Sequence, residues 1–314
     1  MSSMKTQRNF FLDFGTLISS RTARHLHDGV GEPNPSIASY VATGRFTFHR
    51  KNLYYSFYLG ASTPRPKSLQ FIDDIGSILE EQTIDPVGGT YQNATGKLCG
   101  VWKRVPRDYR KILREEQLYI SLIWESSSAT MMTTTATSTM STYSLTGQLS
   151  RYKALSTEQF SSILEPTMGV DRIMMTGSSA TAIVSVSSTS APSIHVSLVF
   201  NGIFYPNDIL DVPLIVTIEH QEKDYTLLQE EIIVKKPSQD LNFGEVRSAL
   251  SGADLRLLSR GKLSITIASK KDPLSLRLSG NIGPRVSCDI FQALLSPEEE
   301  AKASGVAWAF LDRF

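Results

Sequence analysis

The sequence predicts an all-β protein of two tandem antiparallel β-sandwich or barrel repeats, each ending in a short helix. Three observations carry that expectation. Segments between Arg45 and Leu59, and again between Ala182 and Phe200, alternate apolar with other residues at period two, the pattern of a half-buried strand. The same pattern then recurs at a nearly fixed distance: Leu53, Tyr55, Phe57 and Leu59 match Ile194, Val196, Leu198 and Phe200 at an offset of 141. Finally, both copies finish alike, on a Gly-containing strand followed by an apolar triplet at helical spacing.

The elements follow in order. Pro66, Leu69 and Phe71 match Pro213, Val216 and Ile218 at an offset of 147. Leu113, Leu118, Ile120 and Leu122 match Leu258, Leu263, Ile265 and Ile267 at 145. The closing strands contain Leu145-Thr146-Gly147-Gln148-Leu149 and Leu278-Ser279-Gly280-Asn281-Ile282. After them Phe160, Ile163 and Leu164 match Phe291, Leu294 and Leu295 at 131, and three apolar side chains at that spacing share one helical face. Ser156 with Gln159 reads as a capping box for the first of these helices, and Ser287 or Asp289 as the cap of the second. Repeat one therefore spans residues 10–166 and repeat two 173–295, with 296–314 as a tail. The join is Glu165-Pro166-Thr167-Met168-Gly169, where Pro and Gly break regular structure.

Repeat one has 25 residues from Leu122 to Gly147 where repeat two has 13 from Ile267 to Gly280. The excess is the uncharged Ser/Thr/Met tract 126–143, which has little to pack and reads as an exposed loop, with a strand-forming tongue as the alternative. Residues 19–39, with Pro33, Asn34 and Pro35, read as a second irregular loop.

Length and composition bound the function. A chain of 314 residues with 41% hydrophobic and 20% charged residues is globular and sized for two domains. Lys plus Arg (32) nearly cancel Asp plus Glu (31), so no broad basic surface favours nucleic acid. No apolar run approaches the roughly 18 residues of a membrane span. The N-terminus lacks the pattern of a signal peptide because Asp13 interrupts its apolar stretch, leaving a cytoplasmic protein or a piece of a longer secreted chain as the alternatives.

Catalysis finds no foothold, since no nucleophile elbow, phosphate-binding loop, dinucleotide fingerprint or zinc-protease helix occurs. The adjacent acids Asp73 with Asp74 and Glu115 with Glu116 read as solvated. No catalytic residue, cofactor or metal is expected. His25 and His27 share one side of a strand, but no Cys or carboxylate stands at ligand spacing beside them. His195 replaces the residue matching Tyr54 on an outward strand face and reads as a solvated side chain. The one charge cluster is Lys103, Arg104, Arg107, Arg110, Lys111 and Arg114, interleaved with Val105, Tyr109, Ile112 and Leu113. It reads as an amphipathic helix whose basic face is either simply solvated or holds a sulfated glycan or an acidic patch of a partner. Asn93-Ala94-Thr95 is an N-glycosylation sequon beside the turn Gly88-Gly89.

Gly96-Lys97-Leu98-Cys99-Gly100-Val101-Trp102-Lys103-Arg104-Val105-Pro106-Arg107, continuing through Leu113-Arg114-Glu115-Glu116-Gln117-Leu118-Tyr119, resembles the first CHRD repeat of chordin and its insect counterpart short gastrulation. Arg151 to Leu164 is similar to the end of that family's repeat one, and Ser279-Gly280-Asn281-Ile282 through Ser287-Cys288-Asp289 to the end of its repeat two. The resemblance implies a secreted antagonist that restrains bone morphogenetic proteins during dorsoventral patterning, or the scaffold portion of one. It implies bone morphogenetic protein-type growth factors or their co-regulators as partners. The Cys-rich von Willebrand type C modules of the family are missing from this chain. In a secreted chain the even cysteine count suggests a bridge between Cys99 and Cys288, with two buried free thiols as the alternative. The competing function is a non-catalytic intracellular structural or interaction protein of two β modules.

Overall fold

A computed structural model of the chain describes residues 11–26, 35–84, 97–128, 139–152, 155–170, 173–187, 191–285, 290–295 and 305–310. Its first part holds β1 (Leu12–Ile18), β2 (Ala42–His49), β3 (Asn52–Leu59), β4 (Ser68–Ile72), β5 (Ile78–Thr83), β6 (Lys97–Trp102), α1 (Arg107–Arg114), β7 (Tyr119–Ser128) and β8 (Thr139–Gln148). They form two antiparallel four-stranded sheets, β1-β2-β3-β6 and β5-β4-β7-β8. An antiparallel bridge between Gly15 and Ser150 joins the first strand to the segment that follows the last. The inward side chains Phe14, Phe46, Phe57, Phe71, Trp102, Leu118, Ile120 and Leu122 fill the space between the sheets.

The second part repeats this order with β9 (Phe160–Pro166), β10 (Ser179–Ser187), β11 (Ser193–Asn201), β12 (Val212–His220), β13 (Thr226–Val234), β14 (Asn242–Ala249), α2 (Gly252–Ser259), β15 (Leu263–Ser269), β16 (Arg277–Asn281) and β17 (Gly283–Pro284). Here the sheets run together in the order β13-β12-β15-β16-β9-β10-β11-β14, with β17 on β9, a nearly closed barrel. Its separate core includes Val184, Val196, Phe200, Val216, Ile218, Leu258, Ile265 and Leu278. A final hairpin pairs β18 (Ile290–Leu295) with β19 (Gly305–Phe310).

The all-β expectation holds, and so do the correspondences at offsets of 141, 147 and 145; the one at 131 does not, since β9 belongs to the second barrel and β18 to the final hairpin. Both α-helices stand between the sixth and seventh strands of their repeats, 145 residues apart, and bury the matched Leu113 and Leu258. The second helix opens on a capping box of Ser251 with Asp254; the first opens on Pro106 without a side-chain cap.

The closing helices are corrected. Residues 160–166 and 290–295 are strands. In β9 the core contacts come from Phe160, Ser162 and Leu164 at period two, because Ser162 is buried and counts as an inward residue despite its hydroxyl. The apolar triplet hid that alternation. Ser156 and Gln159 also take other roles: residues 155–157 make a single 3-10 turn, and Gln159 donates to Val184 O and accepts from Val186 N. By its pairing β9 is the first strand of the second barrel, since it bonds β10 on one side and β16 with β17 on the other. Ser287 and Asp289 lie outside the described residues.

Each barrel closes where its first strand crosses its last, and one glycine stands at each crossing. A Cβ on Gly147 would overlap the Leu17 carbonyl oxygen, and one on Gly280 the Ile163 carbonyl oxygen. Leu17 and Ile163 occupy matching places in β1 and β9, so both glycines serve the same close approach of two backbones.

Of the two loop expectations, the first takes its strand-forming alternative at both ends, and the second is irregular as expected where described but packed. The ends of the Ser/Thr/Met tract continue the β7–β8 hairpin, with Ser126 opposite Ser141 and Ser128 opposite Thr139; 129–138 lie outside the described residues. Thr and Ser tolerate an extended ladder whose hydrogen bonds come from the backbone alone. The stretch 19–26 is irregular but packed: Ser19, Ser20, Thr22 and Ala23 are buried. It docks on the second barrel, Asn201 donating to Ser19 Oγ (3.2 Å) and Arg21 donating to Thr176 O (2.8 Å) and Met174 O (2.6 Å).

Candidate functional site

The two barrels meet through polar contacts. Arg45 on β2 is 6% exposed at its side chain and Glu158, just after the 3-10 turn, 1%. The guanidinium grips the carboxylate with Nε at 2.9 Å from Oε2 and Nη2 at 3.1 Å from Oε1. Its remaining donors go to Thr43 Oγ1, the Gly44 carbonyl and Thr181 Oγ1 on β10. Arg285 approaches the same carboxylate at 3.9 Å. Beside this pair Tyr152, Leu155, Ile183 and Val199 make a small apolar cluster, where burial pushes the Tyr152 phenol up. A nearby cavity of about 300 Å³ is lined by Arg21, Arg24, His25, Gln239 and Asp240. Burial, with Arg24 second, lowers Arg21 within it.

The predicted basic face is largely assembled, though not as one helix. Only Arg107–Arg114 is helical; Lys103 and Arg104 sit on the turn before it, where Arg104 has φ +55°. Arg107, Lys111 and Arg114 follow at i, i+4 and i+7 and are exposed along one stripe. Arg110 departs from the face: it is half-buried and its Nε donates to Val105 O at 2.8 Å, which folds the side chain back onto the turn before the helix. Lys111 has Glu115 at 3.9 Å. Trp102 and Val105 are buried beneath and Tyr109 leans on Trp102 at 5.9 Å between ring centres, so the Cys-Gly-Val-Trp-Lys-Arg-Val-Pro-Arg string anchors the basic residues to the core.

Two cations escaped the sequence reading. Arg50 and Lys51 form the β2–β3 turn, exposed and with positive φ, and the Val105 N–H donates to Lys51 O at 2.8 Å. Asn52 Oδ1 accepts from the Arg104 N–H at 3.0 Å. The turn therefore extends the basic surface from a part of the chain about fifty residues away, which no linear scan for charge runs detects.

The other named residues are placed separately. Cys99 is half-buried on β6, paired across the ladder with Ser56, and no free cysteine occurs among the described residues. Cys288, Asn93 and His27 lie outside them. His25 stands edge-on to Tyr119 at 5.7 Å. His195 is half-buried, with Nε2 at 3.4 Å from Glu245 Oε2, so it is less solvated than its strand position suggested. Among the described residues no helix is long and apolar enough to cross a membrane.

Comparison with curated proteins finds similarity along most of the chain. It is 46% identical over 281 residues to the dorsal-ventral patterning protein Sog of Drosophila melanogaster, covering 87% of this chain and 26% of that protein. It is 28% identical over 263 residues to Chordin of Xenopus laevis (83% and 25%) and 30% over 259 residues to Chordin of Danio rerio (82% and 24%). The chain thus spans about a quarter of the length of these relatives. No family model matches it, and no solved structure does.

Proposed function

The chain belongs to the chordin and short gastrulation family, and we propose that it is the repeat-bearing scaffold of a secreted, non-catalytic antagonist of bone morphogenetic protein-type growth factors in dorsoventral patterning. The single observation that carries this reading is the 46% identity to Sog across 87% of the chain, which spans both barrels. The test is direct. Purified chain, added to cells carrying a growth-factor-responsive reporter at subsaturating ligand, is expected to lower the response and to bind the growth factor on a sensor surface. Neither binding nor any shift of the dose curve would refute antagonism by this portion.

The reading includes a role for the basic surface in holding sulfated glycans. Its support is the gathering of Arg50, Lys51, Lys103, Arg104, Arg107, Lys111 and Arg114 on exposed positions, most without an ion-pair partner among the described residues. Replacing Arg50, Lys51, Arg107 and Lys111 by Ala is expected to lower the salt needed to elute the chain from heparin, with unchanged thermal stability. Unaltered retention would remove the glycan role.

Two covalent features complete the reading: a glycan on Asn93 and a Cys99–Cys288 disulfide. The engaged state of Cys99 supports the latter. Such a bond closes a loop of about 190 residues and stabilises by roughly 5 kcal/mol in the chain-entropy account. Peptide mapping without reductant should recover the linked pair; two alkylatable thiols would disprove it. As units of structure we divide the chain near 153–154, which keeps β9 with the barrel it closes.

A further inference from the structure

The outer face of the sheet β1-β2-β3-β6 carries rings that its core does not use. Phe11, just before β1, is 50% exposed and lies on His49 at 4.3 Å between ring centres. Tyr54 on β3 is 45% exposed and stands opposite Thr47. Phe46, Phe48, Leu53 and Phe57 fill the core, so alternation turns Thr47, His49 and Tyr54 outward together. Tyr54 is thus one diagonal step from His49, a separation that aromatic side chains span.

These rings border the basic surface. Arg50 and Lys51 make the turn between His49 and Asn52. Asn52 Nδ2 donates to the Tyr54 hydroxyl at 3.3 Å, while Asn52 Oδ1 accepts from the Arg104 N–H at 3.0 Å. One side chain therefore separates the Tyr54 ring from Arg104. At this end of the sheet the charged groups of the described strands and turns are Arg50, Lys51, Lys103 and Arg104, all exposed, and one carboxylate, Asp13, which accepts from Thr47 Oγ1 at 2.7 Å. The second barrel is different. Register places Ser187 where His49 stands and His195 where Tyr54 stands, and His195 is half-buried with Glu245 at 3.4 Å. On α2, Gly252, Leu255 and Ser259 replace Arg107, Arg110 and Arg114. Exposed rings and extra cations therefore occur together on one barrel and are missing together from the other, although the same fold forms in both.

We propose that Phe11 and Tyr54 form a stacking platform for the sugar rings of a sulfated glycan whose sulfates are held by the neighbouring cations. This rests on the reading of the basic surface as a glycan site, and adds what selects a sugar chain over any other polyanion. The C–H bonds on one face of a pyranose carry slight positive charge and meet the negative face of an aromatic ring. His49 covers one face of Phe11 and leaves the other to the ligand. A polyanion without sugar rings gains only the ionic part of the binding, which salt screens, whereas stacking persists at high salt.

The probes are a heparin octasaccharide and poly(vinyl sulfate), a polyanion without sugar rings, each titrated calorimetrically into the intact chain at about 50 to 200 mM salt. Tyr54→Ala and Phe11→Ala should each weaken octasaccharide binding about fivefold at every salt concentration and leave poly(vinyl sulfate) binding unchanged. Tyr54→Phe, which keeps the ring and loses the hydroxyl bonded to Asn52, should recover the parent affinity. Arg50→Ala should instead weaken both polyanions and flatten the dependence of log K on log salt. Both rings are half exposed, so melting temperatures should hold, which separates loss of binding from loss of fold. Octasaccharide binding by Tyr54→Ala and Phe11→Ala equal to that of the parent, or an equal loss for poly(vinyl sulfate), would overturn the platform while the ionic site stands. A parent chain that binds neither polyanion would remove the glycan reading and the platform with it.

Discussion

Glu158→Gln tests whether the two barrels behave as one body. The substitution keeps the shape of the side chain but leaves Arg45, 6% exposed, with a full positive charge and no anion. The guanidinium then has no carboxylate to bond and keeps, besides one bond to the amide oxygen, those to Thr43, Gly44 and Thr181. Breaking a buried pair from one side costs about 3–5 kcal/mol, and the amide oxygen still accepts one bond, so the expected loss is about 3 kcal/mol. For units of this size that corresponds to a fall in melting temperature of roughly 10 °C. In a Trp308→Phe background, urea unfolding followed by tryptophan emission reads the first barrel, which holds Trp102 and Trp124, while far-ultraviolet circular dichroism reads both. Coincident transitions in the parent chain should separate in Glu158→Gln, because the pair ties β2 to β10. The double variant Arg45→Met, Glu158→Leu should recover most of the loss, since no unpaired charge remains. A Glu158→Gln chain within about 1 kcal/mol of the parent, with transitions still coincident, would refute the reasoning.

Two further outcomes follow from the glycines and the carboxylates. Gly280→Ala should destabilise by about 1–3 kcal/mol or more, because its Cβ meets the Ile163 backbone, whereas Gly252→Ala, with nothing within 4 Å in the first turn of α2, should stabilise by about 0.5–1 kcal/mol; chemical denaturation of the pair checks both signs. Asp208, Asp254 and Asp272 are all held below the usual carboxylate range; for Asp254 burial acts in the opposite direction and is outweighed by hydrogen bonds from Ser251 and the Tyr225 hydroxyl (2.5 Å). Their folded pKa values are depressed, so their contribution is present above about pH 4 and is lost as pH falls through the folded values. Melting curves from pH 7 to 2 should show this loss, and Asp254→Asn should flatten the acid limb.

How much was legible in the sequence follows from the range of the interaction concerned. The strands from β2 to β4 and β10 to β12 announced themselves because their burial is settled by alternation along the segment itself. β9 did not, because what makes it a strand is two neighbours, β10 and β16, from distant parts of the chain, and because its buried Ser162 disguises the period. The basic helix was legible as a charge run; Arg50 and Lys51 were not, since their place beside it depends on the Lys51 carbonyl meeting Val105. The polar part of the contact between barrels, beside the Tyr152 cluster, was invisible. It is made by Ser19, Arg21, Arg45 and Glu158, polar residues that a hydropathy pattern assigns to the surface, and only the completed set of hydrogen-bond partners makes their burial tolerable.

A chain that carries one scaffold twice supplies its own control for separating fold from function. Positions that agree between the barrels have a structural reason visible at both sites: Gly147 and Gly280 at the crossing, Leu113 and Leu258 beneath the helix. Positions that differ need another explanation, because the scaffold has already shown that it does not require the residue. By that criterion Arg107, Arg110 and Arg114 of α1 stand out, since α2 has Gly252, Leu255 and Ser259 in their places, whereas Lys111 is matched by Arg256. These cations lie on one barrel, so a ligand of this surface needs nothing from the other. Glu158→Gln, which loosens the contact between barrels, should then lower the melting temperature while leaving heparin retention as before. Retention that falls together with stability would place the effect of the substitution in the first barrel itself.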